Sequence, residues 1–378
     1  MGGVELTADQ VLAWRLRRQH LGTAPPPDGP VAVVERLAGV QAQVPAAAEL
    51  AVALRTGSGP GAAAQLRTAL ADGRLLRTWA QRGTLHLLDP ATAADALALI
   101  GSARTWEKPA WTREFGATPA QVAQLVEAVA ELLDGTVLTR EELTAALAAD
   151  PRFAELTEQL RSGWGTLLKP LAWQGALCHA PAPHGRTAFT HPANHSPTWP
   201  GLPPVDQAGP RLLAAYLGAY GPADLDRFDA WLSRNSLRRS VLKGFAAALG
   251  DRLTEVTVDG TPAHALTEHL DDLTTPAPTT GSVHLLGPFD QYVLGPGTKA
   301  TEILPPAHRP AVSRTAGRIA PLLLVDGRIT GTWHQDGPTL TLTPFTHRPP
   351  TESLTPALTR LATATNTPDL TIRWSTDG

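Results

Sequence analysis

The chain has 378 residues, 43% of them hydrophobic and 18% charged, which suits two or three domains with buried cores and argues against disorder over the whole chain. Thirty-two basic residues against 35 acidic ones give a net charge of −3, which excludes a uniformly basic nucleic-acid-binding coat. The single cysteine, Cys178, excludes a disulfide framework and an all-cysteine zinc site within one chain.

Residues 1–115 have the pattern of a winged-helix unit, which is three helices followed by a strand. The first helix is predicted in TADQVLAWRLRRQHL, with Thr7 or Asp9 as its N-cap, and the proline-rich segment TAPPPDGP follows it. The second helix, VAVVERLAGV, carries on one face the apolar residues Val33, Val34, Leu37 and Val40. The third helix is predicted over AAAQLRTALADGRLLRTWA, and QRGTLHLLD is typical of a strand.

A second copy of this pattern is predicted over residues 116–205. TPAQVAQLVEAVAELLDG and LTREELTAALAAD are amphipathic helices with capping signals. WGTLLKPLAWQGALCHA predicts a third helix, which Pro170 should distort. The segment HAPAPHGRTAFTHP then predicts a turn and a strand, which would form the wing of this copy.

A third copy is predicted over residues 206–280. PRLLAAYLGAYGPADLDRFDAWL contains two helices around a Gly-Pro turn, with Asp224 capping the second, and RNSLRRSVLKGFAAALGDRLTEVTVDG continues as a helix and a strand. Residues 281–378 form a β-rich C-terminal region, where Asp326-Gly327 and Asp336-Gly337 lie between alternating apolar runs as hairpin turns do. The helix PALTRLATAT separates the last two strands, so the predicted fold class is α+β.

Two glutamines, Gln41 and Gln43, stand at the end of the second predicted helix. Pro45 disfavours helical conformation in the residue before it, so this helix should end near Val44 or earlier. Residues two apart point to the same side of an extended segment but to opposite sides of a helix. An extended segment would therefore aim both amides at one target, whereas the plain alternative is that they cap a helix end or are solvated.

Five segments of the chain resemble the winged-helix DNA glycosylases typified by the azinomycin-resistance enzyme AlkZ. LAGVQAQVPAAAELAVALR and LLRTWAQRGTLHLL carry the N-terminal part of the resemblance. YLGAYGPADLDRFDAWL, HLLGPFDQYVLG and VDGRITGTW resemble later signatures of that family in the same order. The resemblance extends from about residue 5 to the last strand, and a match of five segments in register is improbable by accident.

The resemblance implies a monofunctional, monomeric glycosylase in which three tandem winged-helix units form a concave scaffold for double-stranded DNA, without a cofactor or metal. The family motif is Gln-hydrophobic-Gln in the AlkZ-like branch and Gln-hydrophobic-Asp in the other. Gln41-Ala42-Gln43 places the chain in the first branch and makes Gln41 and Gln43 the catalytic residues. That branch is associated with self-resistance to DNA-alkylating natural products through removal of bulky N7-alkylguanine. The resemblance leaves open whether interstrand crosslinks are unhooked and whether the nucleotide is flipped out.

The chemistry of glutamine is consistent with that substrate. Glutamine does not titrate, so it is not a general base, but it can position a water beneath the sugar C1′ and stabilise an oxocarbenium-like sugar with its carbonyl dipole. An N7-alkylated guanine is cationic and leaves as a neutral base without protonation. The glutamine pair therefore predicts narrow action on cationic, already weakened glycosidic bonds.

Contact with DNA requires local positive charge despite the net charge of −3. Residues 299–328 contain five basic residues and only two acidic ones, Glu302 and Asp326. A second basic run extends from Arg227 to Lys243. The family places a hairpin that approaches the minor groove in the first of these regions. The predicted DNA contacts are therefore Lys299, Arg309, Arg314 and Arg318, together with Arg82 of the first wing, for which a strand-flanking ion pair is the plain alternative.

Other chemistries have weaker support in the sequence. Cys178 and the nearby histidines (His179, His184, His191 and His195) lack the spacing of a zinc site, and no phosphate-binding loop or dinucleotide fingerprint is present. The tryptophans of the helices are interpreted as core residues, namely Trp79, Trp106, Trp111, Trp164 and Trp231. Without a signal peptide or a long apolar run, a cytoplasmic location is expected. A non-catalytic winged-helix DNA-binding protein or transcriptional regulator is the alternative function.

Overall fold

The structure is a computed structural model that describes residues 3–22, 26–57, 61–162, 165–181, 185–275 and 281–375. Its helices are α1 (Ala8–Arg18), α2 (Gly29–Arg36), α3 (Pro45–Thr56), α4 (Gly61–Ala71), α5 (Pro90–Ser102), α6 (Pro109–Phe115), α7 (Pro119–Leu132), α8 (Arg140–Ala148), α9 (Thr157–Arg161), α10 (Leu168–Trp173), α11 (Pro192–His195), α12 (Val205–Tyr220), α13 (Leu225–Ser233), α14 (Arg239–Leu249), α15 (Leu270–Thr274), α16 (Gln291–Leu294), α17 (Arg309–Val312) and α18 (Thr351–Thr365).

The strands complete a mixed α+β fold, which confirms the predicted fold class. They are β1 (Val4–Leu6), β2 (Val40–Gln41), β3 (Leu76–Trp79), β4 (Leu85–Leu88), β5 (Leu138–Thr139), β6 (Cys178–Ala180), β7 (Ala188–Thr190), β8 (Leu253–Val258), β9 (Thr261–Leu266), β10 (Val283–Leu286), β11 (Leu322–Val325), β12 (Arg328–Asp336), β13 (Thr339–Pro344) and β14 (Thr371–Trp374). Within the described part of the chain, no helix is both long and apolar enough to span a membrane.

The chain divides into two compact units, each assembled from separated segments. Unit 1 comprises Met1–Arg67, Leu213–Trp231 and Ala246–Gly378, and unit 2 comprises Thr68–Leu212 and Leu232–Phe245. The four consecutive domains suggested by the sequence (1–115, 116–205, 206–280 and 281–378) stay a prediction.

The C-terminal part of unit 1 is a five-stranded sheet in the order β10-β11-β12-β13-β14. Asp326 and Gly327, at φ +49° and +78°, form the two-residue connection between β11 and β12, as a type I′ hairpin turn requires. Gly337, at φ +56°, lies in the next connection, so a hairpin is confirmed there as well, although Asp336 is the last residue of β12 and the turn is displaced by one residue from the predicted Asp336-Gly337. The last pair, β13 and β14, is parallel, and the predicted helix between them is α18.

The N-terminal helix of unit 1 packs beside a three-stranded sheet, β1-β8-β9. Thr7 caps α1 through a capping box with Gln10, which settles the choice between Thr7 and Asp9. Leu6, Val11 and Trp14 are buried in the core that this helix shares with the sheet. The strand β1 pairs in parallel with β8, a partner about 250 residues away that local sequence patterns do not reveal.

In unit 2, the elements α7, β5, α8, α10, β6 and β7 follow each other in the order of a winged helix. The wing strands β6 and β7 are antiparallel, and β5 pairs with the outer side of β7. Thr118 and Thr139 cap α7 and α8 through capping boxes, as their sequences predict. The hairpin β3–β4 extends this sheet through β6.

Three predictions for the helices were wrong in detail. The helix predicted over 62–80 ends at Ala71, because Gly73 adopts φ +69° and its backbone approaches His195 so closely that a Cβ there would lie 2.1 Å from the His195 carbonyl oxygen. The helix α2 ends at Arg36, so Val40 lies on a strand and does not continue the helical face. Pro170 does not distort α10, because it lies in the first turn, where its missing N–H has no helical partner to lose.

Candidate functional site

The two glutamines lie on a short non-helical segment between α2 and α3. The N–H of Gly39 donates to the carbonyl of Val34 at 3.0 Å, and Ala38 adopts φ +48°, which closes α2 with a Schellman-type end. The chain is then extended at Val40 and Gln41. The prediction that this helix ends before Val44 is confirmed.

Helix α3, absent from the sequence-based prediction, begins directly after the glutamine segment. Val44 is its N-cap and Pro45 occupies its first position, where proline's fixed φ favours a helix start. Gln41 is buried, with 8% of its surface exposed, and the intervening Ala42 is also buried. Gln43 is exposed and lies in a bend beyond the strand. Gln41 therefore lies in an extended segment, as predicted. That both amides point to one target stays a prediction.

Two contacts within unit 1 anchor the regions on either side of the glutamine segment. The Tyr220 hydroxyl donates to the Leu37 carbonyl at 2.5 Å, immediately after α2. At the other end of α3, the Arg55 guanidinium donates to both carboxylate oxygens of Asp290, at 2.9 and 2.7 Å, and both side chains are fully buried. A bidentate pair of this kind fixes orientation as well as distance. The contact at Leu37 fixes the start of the segment that carries the glutamines, and the ion pair fixes the helix α3 that follows it, so both depend on distant parts of the chain.

Asp290, in the PFDQYVLG signature, has a structural role. Its carboxylate accepts the backbone N–H of Tyr292 at 2.8 Å and caps α16, which confirms its interpretation as a cap residue. Arg55, its partner, was not predicted from the sequence. The available signal was an arginine in the otherwise apolar end of PAAAELAVALRT, although nothing local identifies the carboxylate it pairs with.

The four cations predicted to contact DNA from the C-terminal region are all exposed, and none forms an ion pair with a described residue (Lys299, Arg309, Arg314 and Arg318). Glu302 is bound by Arg15 and Arg227, at 3.3 and 2.6 Å. Asp326, in the β11–β12 turn, instead accepts the backbone N–H groups of Gly281 and Ser282, which precede β10. Arg328 pairs with Asp9 at 2.6 Å. The local excess of positive charge thus resides on the four predicted residues.

Arg314 and Arg318 flank a tight loop of unit 1. The backbone N–H of Arg314 donates to the backbone carbonyl of Arg318 at 2.8 Å, and an antiparallel bridge joins Ser313 to Ile319. The loop is exposed from Arg314 to Arg318, whereas Ile319 is buried and anchors it. Arg314 and Arg318 thus lie at the two ends of one exposed loop, in the region where a hairpin is expected.

In unit 2, Arg82 lies in the turn between β3 and β4, with φ +57°. Burial, and then the positive charge of Arg82, lower the pKa of His86 to about 3, so His86 is neutral at physiological pH. Its Nδ1–H donates to the Thr84 carbonyl at 2.9 Å, since a carbonyl oxygen only accepts. Arg82 therefore lies in the turn of the β3–β4 hairpin, and its contact with DNA stays a prediction.

The remaining candidates are the tryptophans and the cysteine and histidines around β6. Trp79, Trp106 and Trp231 are buried, as their interpretation as core residues predicts, but Trp111 is only half-buried, and Trp164 lies outside the described residues. Cys178 and His179 are buried on β6, and His184 is also outside the described residues. Among the residues that the structure describes, no three His, Cys, Asp or Glu side chains cluster closely enough to hold a metal ion.

Comparison with known proteins identifies the class of enzyme to which this chain belongs. Residues 34–365 match the family model described as "DNA glycosylase AlkZ-like", which covers most of the chain. The chain therefore belongs to the AlkZ-like family of DNA glycosylases and is an enzyme of DNA repair that acts on DNA.

A curated protein and a solved structure, both from Streptomyces sahachiroi, are similar to this chain. A protein named "Interstrand DNA cross-link repair glycosylase" is 50% identical over 337 residues, which is 89% of this chain and 90% of that protein. The solved structure titled "Streptomyces sahachiroi DNA glycosylase AlkZ" has a TM-score of 0.94 and 46% identity, and the match covers 98% of this chain and all of that chain. The alternative of a non-catalytic regulator loses its support, because the family is one of glycosylases.

Proposed function

We propose that this glycosylase hydrolyses the N-glycosidic bond of N7-alkylguanine in double-stranded DNA, with Gln41 and Gln43 as its catalytic residues. The observation that carries the proposal is the Gln-Ala-Gln motif, which lies outside any helix immediately before α3 in a chain of the AlkZ-like family. A motif without a titratable group suits a leaving group that departs without protonation.

The reaction balances without acid catalysis. The bond between C1′ and N9 breaks, and its electron pair neutralises the cationic purine, which leaves as a neutral base. The amide carbonyl oxygens of Gln41 and Gln43 stabilise the positive charge that develops on the sugar and hold a water below C1′. The water oxygen then bonds to C1′ and loses its proton to solvent. The product is an abasic site, and no covalent enzyme intermediate is required.

The proposed substrate class includes bulky adducts and interstrand crosslinks. The printed name of the similar Streptomyces sahachiroi protein is that of an interstrand crosslink repair glycosylase, and half of the aligned residues are identical. We propose the same class of lesion here, with self-resistance to a DNA-alkylating natural product as the biological role.

The proposed DNA-binding scaffold is a monomer with three tandem winged-helix units. The arrangement of α7, β5, α8, α10, β6 and β7 in unit 2 supports the middle copy. The chain order of α2, α3, α4, β3 and β4 supports the first copy, and that of α12, α13, α14, β8 and β9 supports the third. The proposed phosphate contacts are the four exposed cations Lys299, Arg309, Arg314 and Arg318, together with Arg82 in the β3–β4 turn.

Neutralising the loop cations should reduce the salt dependence of DNA binding. In the Arg314→Gln/Arg318→Gln double variant, we expect the slope of log K against log salt to fall by about two, one for each lost phosphate contact. Fluorescence anisotropy with unmodified duplex DNA at several salt concentrations measures this slope. Arg328→Gln is the control for the loss of one charge, because Arg328 belongs to the same region but is paired with Asp9. An unchanged slope in the double variant would move the DNA interface elsewhere.

The glycosylase proposal is tested with purified protein and duplex DNA that carries a site-specific N7-alkylguanine. Alkaline cleavage after incubation reveals abasic sites, and a second duplex with an interstrand crosslink tests unhooking. Strand breaks above spontaneous depurination are the expected result. Binding to both duplexes without any excess of abasic sites would contradict the proposed substrate class.

A further inference from the structure

We propose that a cavity in unit 2, away from the glutamine motif in the sequence, binds a phosphate of the DNA backbone. The cavity has a volume of about 290 Å³ and opens to solvent. Its walls come from the β3–β4 turn, the segment around α6, the start and end of α10, and the loop after α13. The residues that give it chemical character are Arg82, Lys169, Arg234, Trp111, Phe115 and Trp173.

The charge of this cavity is the first argument. Three of the lining side chains are cations, and none of the lining residues is an aspartate or glutamate. Lys169 and Arg234 form no ion pair with any residue that the structure describes. Burial, and then the nearby charge of Arg234, lower the pKa of the Lys169 ammonium. Lys169 is half-buried beside the exposed Arg234, and two like charges close together are unfavourable until an anion lies between them.

The backbone that presents the cations is fixed in an uncommon conformation. Arg82 and Arg234 have φ values of +57° and +59°, and Asn235, after Arg234, has +60°. Two hydrogen bonds between Ser233 and Ser236 close the loop around Arg234. The Ser236 N–H donates to the Ser233 hydroxyl, and the Ser236 hydroxyl donates to the Ser233 carbonyl, both at 2.8 Å. Left-handed conformations at residues other than glycine persist where the surrounding structure imposes them, often at binding sites. The backbone that carries Arg234 is thus held in a defined conformation.

The aromatic walls supply a hydrogen-bond donor and a stacking surface. The Trp173 indole N–H is buried and donates to no described residue. Trp111 and Phe115 are half-buried and contact each other edge to face, with ring centroids 5.1 Å apart. An indole N–H and flanking cations can donate to phosphate oxygens, while rings of this kind contact the sugar or base of a nucleotide.

The volume and the location favour one nucleotide unit of DNA over a larger ligand. A cavity of about 290 Å³ lies at the lower end of the range of about 300–1,000 Å³ for small-molecule sites. Arg82 connects the site to the tip of the β3–β4 hairpin, the wing element predicted to reach DNA. The inference rests on the proposed function only in that DNA is the substrate, and it adds a phosphate contact made from unit 2.

The test uses full-length protein and an unmodified duplex, so its outcome is independent of base excision. In the Lys169→Gln and Arg234→Gln variants, we expect the slope of log K against log salt to fall by about one each, and in the double variant by about two. The melting temperature of each variant should equal or exceed that of the original protein, because one of two repelling charges is removed. Arg161→Gln is the control, since Arg161 is an exposed arginine of the same unit that pairs with Glu158 outside the cavity.

Two results would overturn the proposal. The first is a salt slope that is the same in the double variant as in the Arg161→Gln control. The second is binding of inorganic phosphate or a nucleoside monophosphate, measured by calorimetry, that is lost in the double variant while DNA binding keeps its slope. That second outcome would assign the cavity to a free phosphate compound. Loss of slope together with retained excision of N7-alkylguanine at low salt would leave both this proposal and the glycosylase proposal supported.

Discussion

Replacing Gln41 or Gln43 by alanine is expected to lower the rate of N7-alkylguanine excision by about 100-fold, the scale of loss seen when one preorganised electrostatic contact to a transition state is removed. Each substitution removes one amide dipole that would face the oxocarbenium-like sugar, and with it one acceptor for the attacking water. Single-turnover formation of abasic sites, with enzyme in excess over a duplex carrying one N7-alkylguanine, measures the effect on the chemical step.

The control for this experiment is Gln65→Ala, which removes an exposed glutamine on α4. DNA affinity and the thermal unfolding curve should change little in Gln43→Ala, because that side chain is exposed. Gln41 is buried, so its variant additionally requires circular dichroism to show that the fold is retained. Full activity in both variants would show that the catalytic assignment is wrong.

Breaking the buried ion pair between Arg55 and Asp290 is expected to produce the largest loss of stability. In Asp290→Asn, the free energy of unfolding should fall by about 3–5 kcal/mol, because the fully buried guanidinium of Arg55 then lacks a compensating charge. Asparagine is itself a good N-cap, so the substitution retains the capping of α16 and isolates the effect of the charge. Urea-induced unfolding followed by circular dichroism measures the change.

Two comparisons make this prediction specific. Adding Arg55→Met to Asp290→Asn should recover part of the lost stability, because the uncompensated charge is removed. Glu158→Gln, which breaks the exposed pair with Arg161, should change the free energy of unfolding by about 0.5 kcal/mol or less. If Asp290→Asn unfolds at the same urea concentration as the original protein, the pair does not hold α3 as the structure indicates.

The glutamine motif could be predicted from sequence because its evidence is local. Pro45 follows Gln43 by two residues, which predicts that the helix before it ends near Val44 or earlier. The contacts that hold the motif were out of reach, since Arg55 and Asp290 are separated by 235 residues. Pairing between such residues depends on which helices and loops meet, and that is determined by the burial of apolar surface over the whole unit.

The cavity in unit 2 likewise depends on residues that only the fold brings together. Lys169, one of four lysines in the chain, and Arg234 were not selected from sequence, because each is an ordinary basic residue in its own segment. They become a candidate site only where the fold brings them to one cavity beside Trp173 and leaves them without carboxylate partners among the described residues. Trp111, interpreted as a core residue from its apolar context, is half-exposed at that cavity instead.

The sequence by itself determined the features whose partners lie within a few residues. Thr7, Thr118 and Thr139 cap their helices through residues three positions later, and Asp326-Gly327 forms a hairpin turn because that pair tolerates positive φ. Only the tertiary structure decided that residues 76–79 form a strand, since LRTW suits either conformation and its pairing with β4 and β6 satisfies its backbone hydrogen bonds. Local hydrogen bonding fixes caps and turns, whereas long-range packing and strand pairing select between conformations of similar local energy.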